Sequence, residues 1–415
     1  KGRNISTIIR VIDDAIEFID VRNDTGALVA LVDFQKAFDI IDKKYLLETF
    51  KVFGFGSDYL QWMKTITNET TSCINHCGWL SEYFSANCGI RQGCPLSPLA
   101  FVLSVEILAN KIRQSAAVKG ISVPNGNSHR IIKMVLYADD STLILRDEND
   151  VRNALSIVDQ FALFSGLKLN KRKTEAMWLG NAKSSIRTVG DIKWLHGKSV
   201  MKILGIYFSN YERAGNLELN WSEKIDKIRR SIKAWEKRDL SIMGKIVIAK
   251  TFLLSQVIYI LQALILPYEV LKCINTILFK FVWQRKFSNK RAFEKVRRDV
   301  LCNEYSEGGL KMINVIDMQN SFIIRWFQKI YTNRQSTYAC IPMYYYDKVG
   351  MDLTVLRSTT SSKAFMGFQE IKSNFWRKAL SHWLDLNKHQ IQPDIAIGNQ
   401  PLWNNEMIKY KNKVP

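Results

Sequence analysis

Acidic residues are scarce in this chain: 39 Asp and Glu stand against 59 Lys and Arg over 415 residues, a formal charge of +20. A folded chain this basic most often meets a polyanion, either nucleic acid or an anionic membrane. Cysteine is scarce too. Seven, an odd number at irregular spacing, make no disulfide framework, and reduced thiols in an intracellular compartment suit them better. The first residue is Lys1, as in a processed chain or a fragment, and no charged-then-apolar leader follows it. Internal repeats and low-complexity tracts are missing. So are unbroken apolar runs. Ile246 to Pro267 comes nearest, but Lys250, Gln256 and Gln262 interrupt it at helical spacing. A membrane span wants about 20 apolar residues with few or no charges. The stretch therefore reads as one buried helix, and no membrane partner is expected.

What is present makes a globular protein. Hydrophobic residues are 47% and charged residues 24%. At roughly 150 residues per domain, two or three domains are expected. Ile5, Ile8, Ile9, Ile12, Ile16 and Ile19 share one helical face. Leu28 to Val32 is a short continuous apolar run after a glycine, which suits a buried strand, and it ends in Asp33. Helical patterns follow at Lys43–Phe53 and Ser57–Thr67. Residues 70–90 read as a hairpin with Gly78 near its turn. Residues 97–114 read as a helix opened by Ser97 and Pro98. Residues 131–146 read as two apolar strands around an acidic turn. Asn149 or Asp150 would then cap a helix that stops near Gly166. Short strands are expected at 174–179 and 192–208. Beyond about 210 strand signals thin out. Trp221, Ile225, Ile228, Ile232 and Trp235 form a helical stripe with cations on the other faces. The expected organisation is an α/β domain over 1–210, a basic helical domain over 211–300 and a helical region over 301–415.

Two segments deliver carboxylates from strand ends: Asp33 from one, Asp139 and Asp140 from the turn between two others. Charge at a strand end is costly to bury unless something offsets it. A pair of divalent cations would do so, and oxygen-only ligands favour Mg²⁺ or Mn²⁺ over zinc. Two such ions would stabilise both the attacking and the leaving oxygen of a phosphoryl transfer. Taken singly, each segment also reads as something plainer: a solvated hairpin turn for Asp139 and Asp140, a helix cap for Asp33. Cys73, His76, Cys77 and Cys88 are too cramped, and lack the paired second half, for a tetrahedral zinc site.

The order of several motifs resembles the reverse transcriptases of non-LTR, LINE-type retrotransposons. DFQKAFD (33–39) resembles motif A, GIRQGCPLSPLAFVL (89–103) motif B, YADD (137–140) motif C, SGLKLNKRKTEAMWLG (165–180) motif D and KILGIYF (202–208) motif E. Residues 240–260 and GGLKM (308–312) resemble the helical region that follows in LINE elements. The resemblance implies a right-hand polymerase palm, a helical thumb and a helical C-terminal region. It implies an RNA-directed DNA polymerase that extends a DNA primer on an RNA template with dNTPs and two Mg²⁺ ions, Mn²⁺ serving as substitute. Asp33 and Asp139 would hold both metals, with Asp140 in support. The backbone of Phe34 would suit a metal or triphosphate contact. Arg91, Gln92 and Gly93 would line the nucleotide and template pocket, although Arg91 equally suits a surface salt bridge. Phe38 would be the steric gate under the sugar. Lys173 would be the acid for pyrophosphate, with Lys171 as competitor.

For the nucleic-acid track, Lys224, Lys227 and Lys233 lie on the striped helix. Arg285, Lys286 and Arg297 belong to 281–298, where seven cations surround Glu294 and aromatics interleave. By the same resemblance the protein would work in nucleus and cytoplasm as a ribonucleoprotein. The fingers would need more than the 32 residues that precede Asp33, so they are expected to be largely missing. That leaves a rival reading: an inactive nucleic-acid-binding remnant of the same fold. An RNA-dependent RNA polymerase is disfavoured by Phe38 and by the YADD turn. The template, the target site and the oligomeric state are not legible.

Overall fold

The computed structural model describes residues 4–31, 34, 37–68, 70–137, 140–284, 294–350 and 366–390. The chain divides into two compact units. One comprises residues 22–123 and 129–204; the other comprises 1–21, 124–128 and 205–415. The first helix, α1 (Ile5–Arg22), thus precedes the sheet in sequence yet is counted, up to Val21, with the later helices.

The first unit is built on a five-stranded sheet. Its strands are β1 (Thr25–Leu31), β2 (Met134–Tyr137), β3 (Asp140–Leu145), β4 (Glu175–Gly180) and β5 (Lys193–Leu195), in the order β5-β4-β1-β3-β2. The apolar run of β1 takes the centre, antiparallel to β3 and to β4. Ala27, Leu28, Val29 and Ala30 are all buried, as a strand without polar alternation requires. Helices α2 (Lys43–Val52), α3 (Ser57–Thr67), α4 (Ser97–Gln114) and α5 (Glu148–Ser165) belong to the same unit. Leu108, Ala109 and Ile112 of α4 and Val151, Ala154 and Val158 of α5 share one core with Ala27, Val29 and Leu143 of the sheet. Between α3 and α4 the chain makes the expected hairpin. Thr71–Ser72 pairs with Phe84–Ser85, Asn75–His76 pairs with Trp79–Leu80, and Gly78 sits in the turn.

The cap of α5 differs from the sequence expectation. Asp147 is the N-cap, its carboxylate accepting from the Asp150 amide at 3.0 Å. Asp150 is instead buried, and it accepts from the amides of Lys119, Gly120 and Arg146. The helix does stop at a left-handed Gly166.

The second unit is helical. The striped helix is α6 (Glu218–Trp235), with Ile225, Ile228 and Ile232 buried and Trp221 and Trp235 half-buried. The apolar stretch after it is not one helix. It is α7 (Ile242–Ile248), a π-helical turn over Ala249–Leu253 and α8 (Ser255–Ala263), bent by 51°. Its polar interruptions are used locally: Lys250 donates to the Lys311 carbonyl and Gln256 to the Ser231 hydroxyl. No single helix among the described residues is long and apolar enough to cross a membrane; the bent pair passes only by length and composition. Helices α9 (Tyr268–Trp283), α10 (Val315–Thr332), α11 (Cys340–Lys348) and α12 (Asn374–Gln390) belong to the same unit.

Sequence periodicity did not disclose the inside of α1. Arg10, Asp13, Asp14 and Glu17 are buried along with Ile9, Ile12, Ile16 and Ile19. Arg10 pairs with Asp13 at 2.5 Å and Asp14 at 2.9 Å, and its guanidinium lies 4.1 Å from the Phe375 ring centre. Trp376 donates to Asp14, and Ser373 to Glu17.

Candidate active site

The site forms where three strand ends meet. In the β1–β3 pair, Leu31 stands opposite Ser141; in the β2–β3 hairpin, Tyr137 stands opposite Asp140. The last residue of β1 and the turn between β2 and β3 are therefore at the same edge of the sheet. Asp33 follows that end of β1 by two residues, and Asp139 follows the end of β2 by two. Asp33 and Asp139 themselves lie outside the described residues, as do Arg285 and Lys286. Asp140 opens β3 and is half-buried. Beside it, Ser141 is buried, and its hydroxyl has no hydrogen-bond partner among the described residues. No local pattern marks that group beyond its place next to Asp140.

Phe34 is fully buried, and its backbone forms an isolated bridge with Leu169. The segment after β1 is thereby tied to the turn carrying both candidate lysines. Lys171 faces Asp159 at 3.3 Å, whereas Lys173 is exposed. Lys171 is thus engaged by a carboxylate of α5. Phe38 is half-buried and stacks on Phe101 of α4, with centroids 4.8 Å apart and planes at 29°.

The segment before α4 runs along residues 38–41. Gly89 N–H donates to the Ile41 carbonyl at 2.9 Å and Ile90 N–H to the Phe38 carbonyl at 2.7 Å. Gly89 has φ +82°, and a Cβ there would lie 2.5 Å from the Asp39 carbonyl oxygen, so only glycine fits this approach. The Gln92 amide donates to the Asp39 carboxylate at 3.2 Å. Asp39 is a residue that sequence reasoning missed; its signal was the second acid of DFQKAFD. Arg91 is exposed and its carbonyl accepts from the Ser97 hydroxyl at 2.6 Å. Ser97 and Pro98 open α4 as expected, and Leu96 holds the cap position. Gly93 is exposed, with φ 85° and open space around it.

Lys43 was also missed. Its ammonium donates to the Thr70 hydroxyl and the Ala86 carbonyl, fastening the base of the hairpin, and burial lowers its pKa. At Cys94 the Leu96 amide, with help from the Ser97 amide and hydroxyl and from Arg91, draws the thiol below its usual value. In the helical unit, Lys227 and Lys233 are exposed on α6 and Lys224 is half-buried. Arg297 is exposed but paired with Asp299 at 2.6 Å. Among the described residues no three His, Cys, Asp or Glu side chains gather closely enough to hold a metal.

Residues 3–208 match the family described as reverse transcriptase (RNA-dependent DNA polymerase). Those residues, a little under half of the chain, form a reverse transcriptase domain, a polymerase palm followed in this chain by a helical region. Its relatives are of the LINE type. It is 25% identical over 356 residues to the transposon TX1 uncharacterized 149 kDa protein of Xenopus laevis, covering 84% of this chain and 26% of that protein. It is 26% identical to the Pol polyprotein from the type-2 retrotransposable element R2DM of Drosophila melanogaster, over 50% of this chain and 20% of that protein. The corresponding protein of the type-1 element R2 of Popillia japonica is 26% identical over 57% of this chain and 38% of its own length. The chain thus spans well under half of these relatives. Among solved structures, telomerase from Candida albicans aligns over 85% of this chain and 53% of its own, with a TM-score of 0.41 and 11% identity. Reverse transcriptases as a family use divalent metals.

Proposed function

We propose that this chain is the RNA-directed DNA polymerase core of a LINE-type retrotransposon, extending a DNA primer on an RNA template with dNTPs. One observation carries the reading: the register of β1, β2 and β3 brings the two strand ends that precede Asp33 and Asp139 to one edge. The donor set there is carboxylate oxygen, which fits Mg²⁺, with Mn²⁺ as substitute. Asp33 and Asp139 would hold a metal pair and Asp140 would support them; bound there, the ions would neutralise charge on the attacking and leaving oxygens.

The chain's own residues do the positioning. Phe38 is braced by Phe101 and would form the floor beneath the sugar. Asp39 and Gln92 link the segment after β1 to the one before α4, which would keep Arg91, Gln92 and Gly93 in line with the incoming nucleotide. Lys173, exposed on its turn, would donate the proton to departing pyrophosphate, with Lys171, which faces Asp159, as its competitor. Lys224, Lys227 and Lys233, with Arg285, Lys286 and Arg297, would neutralise phosphates of the template–primer duplex. Residues 1–210, 211–300 and 301–415 correspond in this reading to palm, thumb and C-terminal region. The protein would act with its RNA in nucleus and cytoplasm.

The test is primer extension on an RNA template, run beside an RNA-binding assay. Asp139→Ala should abolish extension and leave RNA binding nearly intact. Extension undiminished in Asp139→Ala contradicts the proposal. A wild-type chain that binds RNA and extends no primer favours the non-catalytic nucleic-acid-binding reading.

A further inference from the structure

The helical unit contains a cavity of about 210 Å³ that none of the residues above explains. Its walls come from three places: Asn4 and Ser6 at the start of α1, Gln262 near the end of α8, and Phe322, Arg325 and Lys329 on α10. No lining residue is acidic. Arg325 and Lys329 are one helical turn apart, so they sit on the same side of α10. Among the described residues neither has a carboxylate partner. Lys329 donates to the Thr7 hydroxyl at 2.7 Å and rests against the rings of Trp326 and Tyr338. Its pKa is lowered, by burial first and by the Arg325 charge second.

The neutral groups on the wall also offer donors. The Asn4 side-chain oxygen already accepts from the Ser6 amide and the Ser6 hydroxyl. Its NH₂ is what remains to face a ligand. Gln262 adds a second amide. Two like charges held beside each other, without a carboxylate counter-charge among the described residues, repel. An anion between them removes the repulsion, and a guanidinium fork is well matched to phosphate oxygens.

We propose that this cavity binds one phosphate group of a nucleic-acid strand, through Arg325, Lys329 and the amides of Asn4 and Gln262. The phosphate chemistry rests on the cavity alone; that the phosphate belongs to a strand rests on the polymerase reading above. Phe322, half-buried at the wall, offers an apolar surface to the sugar or base next to that phosphate.

The experiment uses the full chain and a fluorescein-labelled single-stranded RNA of about 20 nucleotides, with affinity followed across a salt series. Each lost phosphate contact lowers the log–log salt slope by about 0.7 on a single strand. Arg325→Gln and Lys329→Gln should each lower the slope by about that much and weaken binding. Arg325→Lys should recover the slope in part, since the charge returns without the fork. Lys272→Gln, an exposed lysine on α9 away from the cavity, is the control and should leave the slope unchanged. Arg325 is exposed, so its variant tests the site even if Lys329→Gln melts early. A second arm titrates inorganic phosphate into wild type and Arg325→Gln by calorimetry.

If wild type binds RNA and both cavity variants keep its slope, the proposal is overturned while the polymerase reading stands. If inorganic phosphate binds in an Arg325-dependent way but the RNA slope does not move, the site holds a free anion and the strand assignment is overturned. A slope loss in Lys272→Gln equal to that in Arg325→Gln would mean bulk charge, which also overturns it. Should wild type fail to bind RNA at all, the polymerase reading falls, and the strand assignment with it.

Discussion

Phe38 has two jobs in one ring: it packs on Phe101, and by the proposed function it limits the space beneath the sugar. A 2′-hydroxyl pressed against a braced ring is an overpacking problem, worth about 1–3 kcal/mol. That corresponds to roughly 5- to 150-fold against ribonucleotides. Phe38→Val is predicted to raise rNTP use toward that of dNTP in single-nucleotide extension. An unchanged dNTP/rNTP ratio would reduce Phe38 to a packing residue. The stack on Phe101 also means the variant should lose about 1 kcal/mol of stability, which denaturant unfolding can measure. Asp150 offers a purely structural counterpart. Three backbone amides converge on its buried carboxylate, at 2.8, 2.7 and 3.1 Å. Asp150→Ala would leave those donors without a partner, and it is predicted to destabilise its unit by about 2–4 kcal/mol. A loss below about 0.5 kcal/mol in chemical denaturation would show that the amides find other acceptors.

Among the elements, α1 shows most clearly what periodicity conceals. Its isoleucines were legible as a buried face because they recur at helical spacing. Arg10, Asp13, Asp14 and Glu17 occupy the remaining positions, which the same rule assigns to solvent. They are buried because their partners arrive from far along the chain: Arg213, Ser373, Phe375 and Trp376. Nothing local encodes such partners. The break at 249–253 was hidden for a similar reason, since an apolar run gives no sign of where its hydrogen bonding shifts register. By contrast, β1, the turn after β2 and the start of α4 were legible, because apolar runs, acids and a Ser-Pro pair are local signals.

The α1 network also has a pH consequence. Burial pushes the Asp14 carboxyl up to about 7, with Arg10 pulling against it and the Glu17 charge pushing the same way as burial. Asp13 on α1 and Trp376 and Tyr346 on the neighbouring helices complete its surroundings. The folded value lies above the ordinary 3.8, so the folded form holds its proton where the unfolded chain has lost it. Stabilisation from this group is full below about 4, declines as the pH rises and is gone above about 7. Asp14→Asn is predicted to flatten that part of the profile of thermal stability against pH. A variant profile parallel to wild type would contradict this assignment.

For the whole molecule, composition already spoke of a polyanion: the chain carries a formal charge of +20. The palm fold and the family were legible because five motifs follow one another in order. The phosphate cavity was not, since Asn4, Gln262, Arg325 and Lys329 are joined only by folding. By the proposed function, Asp33 and Asp139 share one pair of divalent ions. Iron(II) substituted for Mg²⁺, with ascorbate and peroxide, cuts the backbone beside the bound metal, and mass spectrometry locates the cuts. Wild type should show cuts near residues 33 and 139, both lost together in Asp33→Asn and in Asp139→Asn. A cut near residue 33 that survives Asp139→Asn would contradict a shared pair of ions.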